Sequence, residues 1–164
     1  MKIIIMSDSH GRLSVVDLIP YYHLDADYFI HCGDLGDGYT PEDYEKILFV
    51  EGNCDYFYDT PQIRILDLKN GHRIMILHSH QCPAFPPEAR KIILKKWAKE
   101  ENCDIVCYGH THVSDIEEDE DILFINPGSL ARPRDGKECS YCILTIDEKN
   151  TCHAEILFES QWPF

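Results

Sequence analysis

Asp8 and His10 stand two residues apart at the end of the apolar run Ile3-Ile4-Ile5-Met6, with Gly11 directly behind them. A carboxylate oxygen and an imidazole nitrogen are donors that a divalent transition metal takes readily. In an extended chain, residues two apart point to the same side, so the pair can face one point in space. One such pair arises often by chance, but the rest of the chain repeats the device. Asp34 follows Gly33, Asn53 follows Gly52, His78 and His80 flank Ser79, His110 and His112 flank Thr111, and Asn126-Pro127-Gly128 comes late. Five of the nine histidines lie in these D-x-H or H-x-H pairs, whereas His23, His31, His72 and His153 read as surface or core residues.

Asp8, His10, Asp34, Asn53, His78, His110 and His112 make seven donor side chains, and one tetrahedral ion takes four. Two ions about 3.5–4 Å apart would use them all, with a short carboxylate between them. Asp34, isolated after a glycine, is the candidate bridge. Two divalent ions bring more positive charge than two aspartates return, and the surplus suits hydroxide and an anionic phosphate. The mixed nitrogen and oxygen set favours Mn, Fe, Co, Ni or Zn over Mg, which prefers oxygen and bound water.

The elements that must position these groups are legible as apolar runs. Residues 3–6, 28–32, 47–51, 105–108 and 122–125 read as buried strands, and each opens into one of the polar loops. Leu13 to Ile19 is expected to be helical and to stop near Pro20, and Pro41 to Lys46 a short helix with proline in its first turn. The Asn70-Gly71 pair predicts a hairpin between strands 63–68 and 73–77. Pro86-Pro87 begins a helix to about Glu101, with Ala89, Ile92, Ile93, Trp97 and Ala98 as its apolar stripe. Its basic residues, Arg90 to Lys99, read as a solvated face, and Asp115 to Asp121 as an exposed hairpin tip. Strands at 141–146 and 152–158 close the chain. Strand and helix alternate early and hairpins dominate late, which suits a layered α/β sandwich with a partly antiparallel second sheet. In open α/β sheets ligands bind outside the carboxyl ends of the strands, so the loops are expected to converge.

With 164 residues the chain is long enough for one domain with a sizeable core. Its net charge of −14 argues against nonspecific binding to nucleic acid or to an anionic membrane. It leaves room for a phosphate substrate if bound cations reverse the local sign. No run approaches the roughly 20 apolar residues of a membrane span, and Asp8 interrupts the first run too early for a signal peptide. A cytoplasmic location is therefore expected, with the eight cysteines as free thiols. Cys139 and Cys142 sit at an odd offset in a strand, so their thiols should point to opposite faces and hold no metal.

The order D-x-H, G-D, G-N, H-x-H, G-H-T-H, with Ser7-Asp8-Ser9-His10-Gly11, Gly52-Asn53-Cys54-Asp55 and Asn126-Pro127-Gly128-Ser129, resembles the calcineurin-like metallophosphoesterases. The likeness is to their small single-domain prokaryotic phosphodiesterase branch and covers Met1 to about Phe158. It implies an α/β fold, a four-layer α-β-β-α sandwich of the metallo-dependent phosphatase type, as one domain over residues 1–164. It also implies a di-metal hydrolase of phosphate esters, a phosphodiesterase before a phosphomonoesterase, in which a metal-bridging hydroxide attacks phosphorus in line. By the same resemblance Asp8, His10 and His112 hold one ion, Asn53, His78 and His110 the other, and Asp34 bridges, with manganese the expected metal.

Ser79 stands where relatives usually have glycine, which leaves His78 and His80 as alternative ligands. Larger relatives carry histidine where this chain has Cys54. The catalytic candidates are thus Asp34, Asn53, Cys54 and His80, with the proton donor open between the last two. Arg132 and Arg134 could hold a phosphate through bidentate contacts. The expected partner is a small phosphate ester, and a homo-oligomer is left open. The rival reading is a metal-binding scaffold of the same fold with little or no activity, as in some eukaryotic members that serve membrane-trafficking coats.

Overall fold

The computed structural model describes residues 1–36, 44–56, 59–83 and 86–164, with residue 87 described by its backbone alone. Strands β1 (Lys2–Met6), β2 (Tyr28–His31) and β3 (Ile47–Phe49) run parallel in a first sheet. Strands β9 (Ser140–Ile146) and β10 (Cys152–Phe158) join it antiparallel, giving the order β10-β9-β1-β2-β3. The second sheet has the order β4-β5-β6-β8-β7. Its centre, β5 (Arg73–Leu77), β6 (Ile105–Tyr108) and β8 (Ile122–Pro127), is parallel. Its edges, β4 (Ile63–Asp67) and β7 (Ser114–Asp119), are antiparallel.

Side-chain alternation sorts the core into layers. Ile3 and Ile5 point inward to meet Ile74, Ile76, Ile105 and Ile125 of the other sheet. Ile4 and Met6 point outward onto helix α1 (Leu13–Tyr22), against Val16 and Ile19. Met75, Leu77, Val106 and Phe124 pack on helix α2 (Pro87–Glu100). The result is the expected four-layer α-β-β-α sandwich. Continuous apolar strands such as β1 follow from it, because both faces of each central strand are covered.

Local expectations held with identifiable exceptions. Helix α1 runs past Pro20 to Tyr22, closed by the His23 N–H on Ile19 O (3.1 Å). The expected helix at 41–46 begins at Pro41–Asp43, which lie outside the described residues, and its described end is a turn at 45–46. In α2 the buried stripe uses Leu94 and Ala98, both 0% exposed, while Ile92 is 66% exposed. The basic face of α2 is not simply solvated, nor is the acidic tract a tip. Most of that tract is β7, and its carboxylates meet the lysines: Lys91 pairs with Asp115 (3.4 Å) and Glu117, Lys95 with Asp119 (2.5 Å), and Lys99 with Glu120. Such exposed pairs contribute little to stability, being screened by solvent and salt. Only Glu120 and Asp121 form the turn.

All eight cysteines are free. Cys142 lies between the sheets and Cys139 packs on the α1 side, so the two thiols take opposite faces. The Cys139→Ser/Cys142→Ser double variant should therefore match the parent chain in metal content, at some cost in stability from the buried hydroxyl. Loss of stoichiometric metal, measured by elemental analysis, would contradict this geometry. Among the described residues no helix is long and apolar enough to cross a membrane.

Candidate metal centre

Parallel registers align the strand ends that carry the site. Met6 pairs with His31 in the first sheet and Leu77 with Tyr108 in the second. The loops beyond them are laced together: the N–H of Asp8 donates to Gly33 O, that of His10 to Asp34 O, and that of Leu130 to Ser7 O. The donors share a target, but not by the alternation of an extended chain. Asp8 (φ 54°), His10 (43°), Asp34 (57°), His110 (72°) and His112 (59°) all adopt the left-handed conformation. Such residues cost on the order of 1–3 kcal/mol each and persist only where surrounding structure over-determines them.

Donor atoms of Asp8, His10, Asp34 and His112 lie within 4.8 Å of one another. Asp8 is fully buried, and its Oδ1 has no hydrogen-bond partner although His112 Nε2 lies 3.1 Å away and His10 Nε2 3.9 Å. Around the neighbouring point, His78 Nε2 lies 3.2 Å from Asn53 Oδ1, 3.4 Å from Asp34 Oδ2 and 4.0 Å from Asp8 Oδ1. The His110 ring centre is 5.1 Å from that of His78. His80 stands behind, 5.6 Å from His78 ring to ring, with a buried Nδ1 that lacks a partner. It is thus His78, not His80, whose nitrogen faces the carboxylates.

The tautomers decide what these atoms can bind. His78 Nδ1 donates to Cys32 O (2.7 Å) and His112 Nδ1 donates to Arg132 O (2.6 Å), since a carbonyl can only accept. In the neutral rings both Nε2 atoms therefore present lone pairs, and what they face is carboxylate oxygen. Such a cluster is stabilised by a shared positive charge: against burial, Asp34 and Asp8 hold His78 above its ordinary value, His10 Nε2 lies 3.2 Å from His112 Nε2, and a divalent ion would meet the same donors. A backbone carbonyl fixing the far nitrogen is also how metal-binding imidazoles are oriented. The residues fit a divalent metal centre.

Electrostatics agree in direction. Burial alone would push Asp8 up, but His112, His78 and the Ser7 hydroxyl hold it below its ordinary value. Against the same burial, His78 and the Cys54 N–H hold Asp34 well below the carboxylate range. Burial and the charges of His78 and Arg90 push His110 down to about 4. Burial and the Asp34 charge push the Cys54 thiol up to about 11. Cys54 meets Asp34 through both backbone and side chain: its N–H donates to Asp34 Oδ1 (2.8 Å), its thiol is hydrogen-bonded to the same carboxylate, and Sγ accepts from Asn53 Nδ2 (3.3 Å). Arg132 is exposed, with its charge near enough to disfavour protonation of His10. Arg134 joins through its backbone N–H on His112 O (3.0 Å).

Several contributors carry no isolated sequence signal. Asp55 is buried, and its carboxylate accepts from the N–H groups of Asp34 (2.7 Å), Leu35 (2.8 Å) and Gly52 (2.9 Å), tying two loops together. Its place in Gly-Asn-Cys-Asp was the only hint. Gly52 and Gly109 are required by close approach: a Cβ would overlap Asp34 Oδ1 at the first and Ser7 Oγ at the second. Ser79 Oγ donates to Gly109 O (3.2 Å) and accepts from Arg90 Nη1 (2.8 Å), so α2 braces both H-x-H loops.

His31, read as a core or surface residue, is fully buried and bonded through Nε2 to Ser9 Oγ (3.0 Å), between Asp8 and His10. Burial pushes it down to about 4. The unfolded imidazole titrates near 6.5, so the unfolded chain takes up its proton first and stability falls as pH drops from there toward 4. Between about pH 7 and 5 this residue should cost the metal-free protein about 2 kcal/mol, measured by urea unfolding. His31→Gln, which keeps a donor toward Ser9, should lose that much less. Equal losses would remove His31 as the source.

A family model for the calcineurin-like phosphoesterase superfamily domain matches residues 1–149. The chain is 32% identical over 150 residues to the probable metallophosphoesterase YsnB of Bacillus subtilis (strain 168), covering 90% of this chain and 85% of that one. It is 29% identical over 175 residues to phosphodiesterase YfcE of Escherichia coli (strain K12), covering 90% and 89%. The crystal structure of a predicted phosphoesterase from Streptococcus pneumoniae TIGR4 superposes with a TM-score of 0.85 at 32% identity, covering 99% and 92%.

Proposed function

Because the chain belongs to the calcineurin-like phosphoesterase superfamily, we propose that this site is a two-metal centre that hydrolyses small phosphate esters, diesters before monoesters. The observation that carries the reading is the pair of imidazoles, His78 and His112, whose Nδ1 atoms donate to backbone carbonyls and whose Nε2 atoms face Asp34 and Asp8. Asp8, His10 and His112 would hold one divalent ion, Asn53, His78 and His110 the other, with Asp34 between them. When bound, the ions lower the pKa of water and offset the charge of the phosphate. The mixed donor set suits Mn, Fe, Co, Ni or Zn, and manganese is the first to be tested.

The chain's own groups orient and steady the reaction. Cys32 O and Arg132 O hold two imidazoles in the ligating tautomer. The Cys54 N–H turns Asp34 so that Oδ2 lies toward His78 and His10, at 3.4 and 3.7 Å. The Arg132 guanidinium, exposed beside His10, is placed to meet a phosphate oxygen in a charge-assisted contact. Water attacks phosphorus in line as its proton passes to solvent, the P–O bond to the departing group breaks, and the departing oxygen takes a proton from His80 or Cys54 Sγ, or leaves as the anion.

Protein stripped with a chelator should hydrolyse neither bis(p-nitrophenyl) phosphate nor p-nitrophenyl phosphate. Restored Mn²⁺ should bring back turnover, with the diester preferred. Turnover that survives chelation would overturn the metal role, and a preference for the monoester would overturn the diester reading.

A further inference from the structure

A cavity of about 660 Å³ opens between the first half of α2 and β7. Its upper end adjoins the metal centre. Thr111, which lines it, sits between His110 and His112, and Arg90, which also lines it, donates to Ser79 between His78 and His80. Neither candidate proton donor, Cys54 nor His80, is among its walls. Resting on the proposed phosphodiesterase reading, we propose that this groove holds the ester substituent that stays on phosphorus, and that it selects an uncharged, largely apolar one.

Size and lining favour that occupant. The volume lies in the range of small-molecule sites, about 300–1,000 Å³. Tyr108, Val113 and the exposed Ile92 supply apolar surface, and Thr111 a hydroxyl beside the reacting centre. Charge excludes the alternative. Three cations, Arg90, Lys91 and Lys95, line the groove against four carboxylates, Glu88, Asp115, Glu117 and Asp119. Lys91 is engaged by Asp115 and Glu117, and Lys95 by Asp119 and Glu120. Arg90 is already tied to Ser79. A second anionic group on the substrate would meet carboxylates without an unengaged lysine to receive it, which discriminates by repulsion as much as by fit. The phosphate itself belongs to the metals and Arg132, outside the groove.

The test keeps p-nitrophenolate as the leaving group and varies the other ester group through methyl, phenyl, naphthyl and para-carboxyphenyl. In the Mn²⁺-loaded protein kcat/KM should rise about 10- to 100-fold from methyl to naphthyl, as burial of apolar area predicts, and the carboxylate should cancel the gain over methyl. Ile92→Trp, which fills the groove from an exposed position, should abolish the advantage of the naphthyl over the methyl ester. Asp115→Asn with Glu117→Gln should free Lys91 and raise the carboxylated ester about 10-fold.

Independently of turnover, 2-naphthol added to the metal-free protein should shift the amide NMR signals of Ile92, Thr111 and Val113 saturably, and not do so in Ile92→Trp. Equal rates for methyl and naphthyl esters, or shifts that cluster elsewhere, would overturn the groove. If no ester is hydrolysed at all, the phosphodiesterase reading falls. The NMR titration then decides by itself whether the groove takes an uncharged aromatic group.

Discussion

Asp34→Asn should lose its bound metal and about 10²–10³-fold in turnover, on the scale of removing a preorganised electrostatic contact, while the fold survives. The reason lies in which oxygen does what. Oδ1 accepts from the Cys54 N–H at 2.8 Å, and an asparagine carbonyl can keep that bond. The amide NH₂ then falls where Oδ2 was, 3.4 Å from His78 Nε2 and 3.7 Å from His10 Nε2. There it can donate to the His78 Nε2 lone pair that would otherwise hold a cation, and it removes one negative charge from the site. Hydrogen bonding thus replaces metal binding with little disturbance of the backbone. Elemental analysis, turnover and thermal unfolding read the three parts separately. A variant that holds two metals per chain and turns over normally would take Asp34 out of the bridging role.

Rates should fall steeply as the leaving alcohol becomes more basic, with phenolic esters far better than alkyl ones. A positioned general acid contributes about 10²–10⁴-fold, and the residue after Asn53 is a thiol, a weak hydrogen-bond donor. Its sulfur accepts from Asn53 Nδ2, and its thiol and backbone N–H are both directed to Asp34. Cys54→Ser should therefore change little. Cys54→His should flatten the dependence if the new imidazole reaches the departing oxygen. A series of phosphodiesters differing only in leaving-group pKa, run on the parent and both variants, separates the cases. A shallow slope in the parent, lost only in Cys54→Ser, would make the thiol the acid after all. A shallow slope in all three would point to His80, whose buried Nδ1 lacks a partner.

The chain by itself determined the layers and the chemistry. Continuous runs such as Ile3–Met6, with their alternation into two cores, dictate a central strand covered on both faces. Donor type is equally local: carboxylate and imidazole at strand ends point to a metal whatever the detailed path of the loop. What only the tertiary structure decided is orientation. Left-handed backbone at Asp8, His10, Asp34, His110 and His112 aims the donors, and it persists because distant partners impose it. Asp55 and the carbonyls of Cys32 and Arg132 are such partners. That the His78 nitrogen faces the carboxylates rests on the Cys32 carbonyl, just past β2 of the other sheet. The lysines of α2 meet the acids of β7, not solvent, because the edge strand lies along that helix. Residue types set which interactions are available. Long-range contacts, which leave no local trace in the sequence, set which of them form.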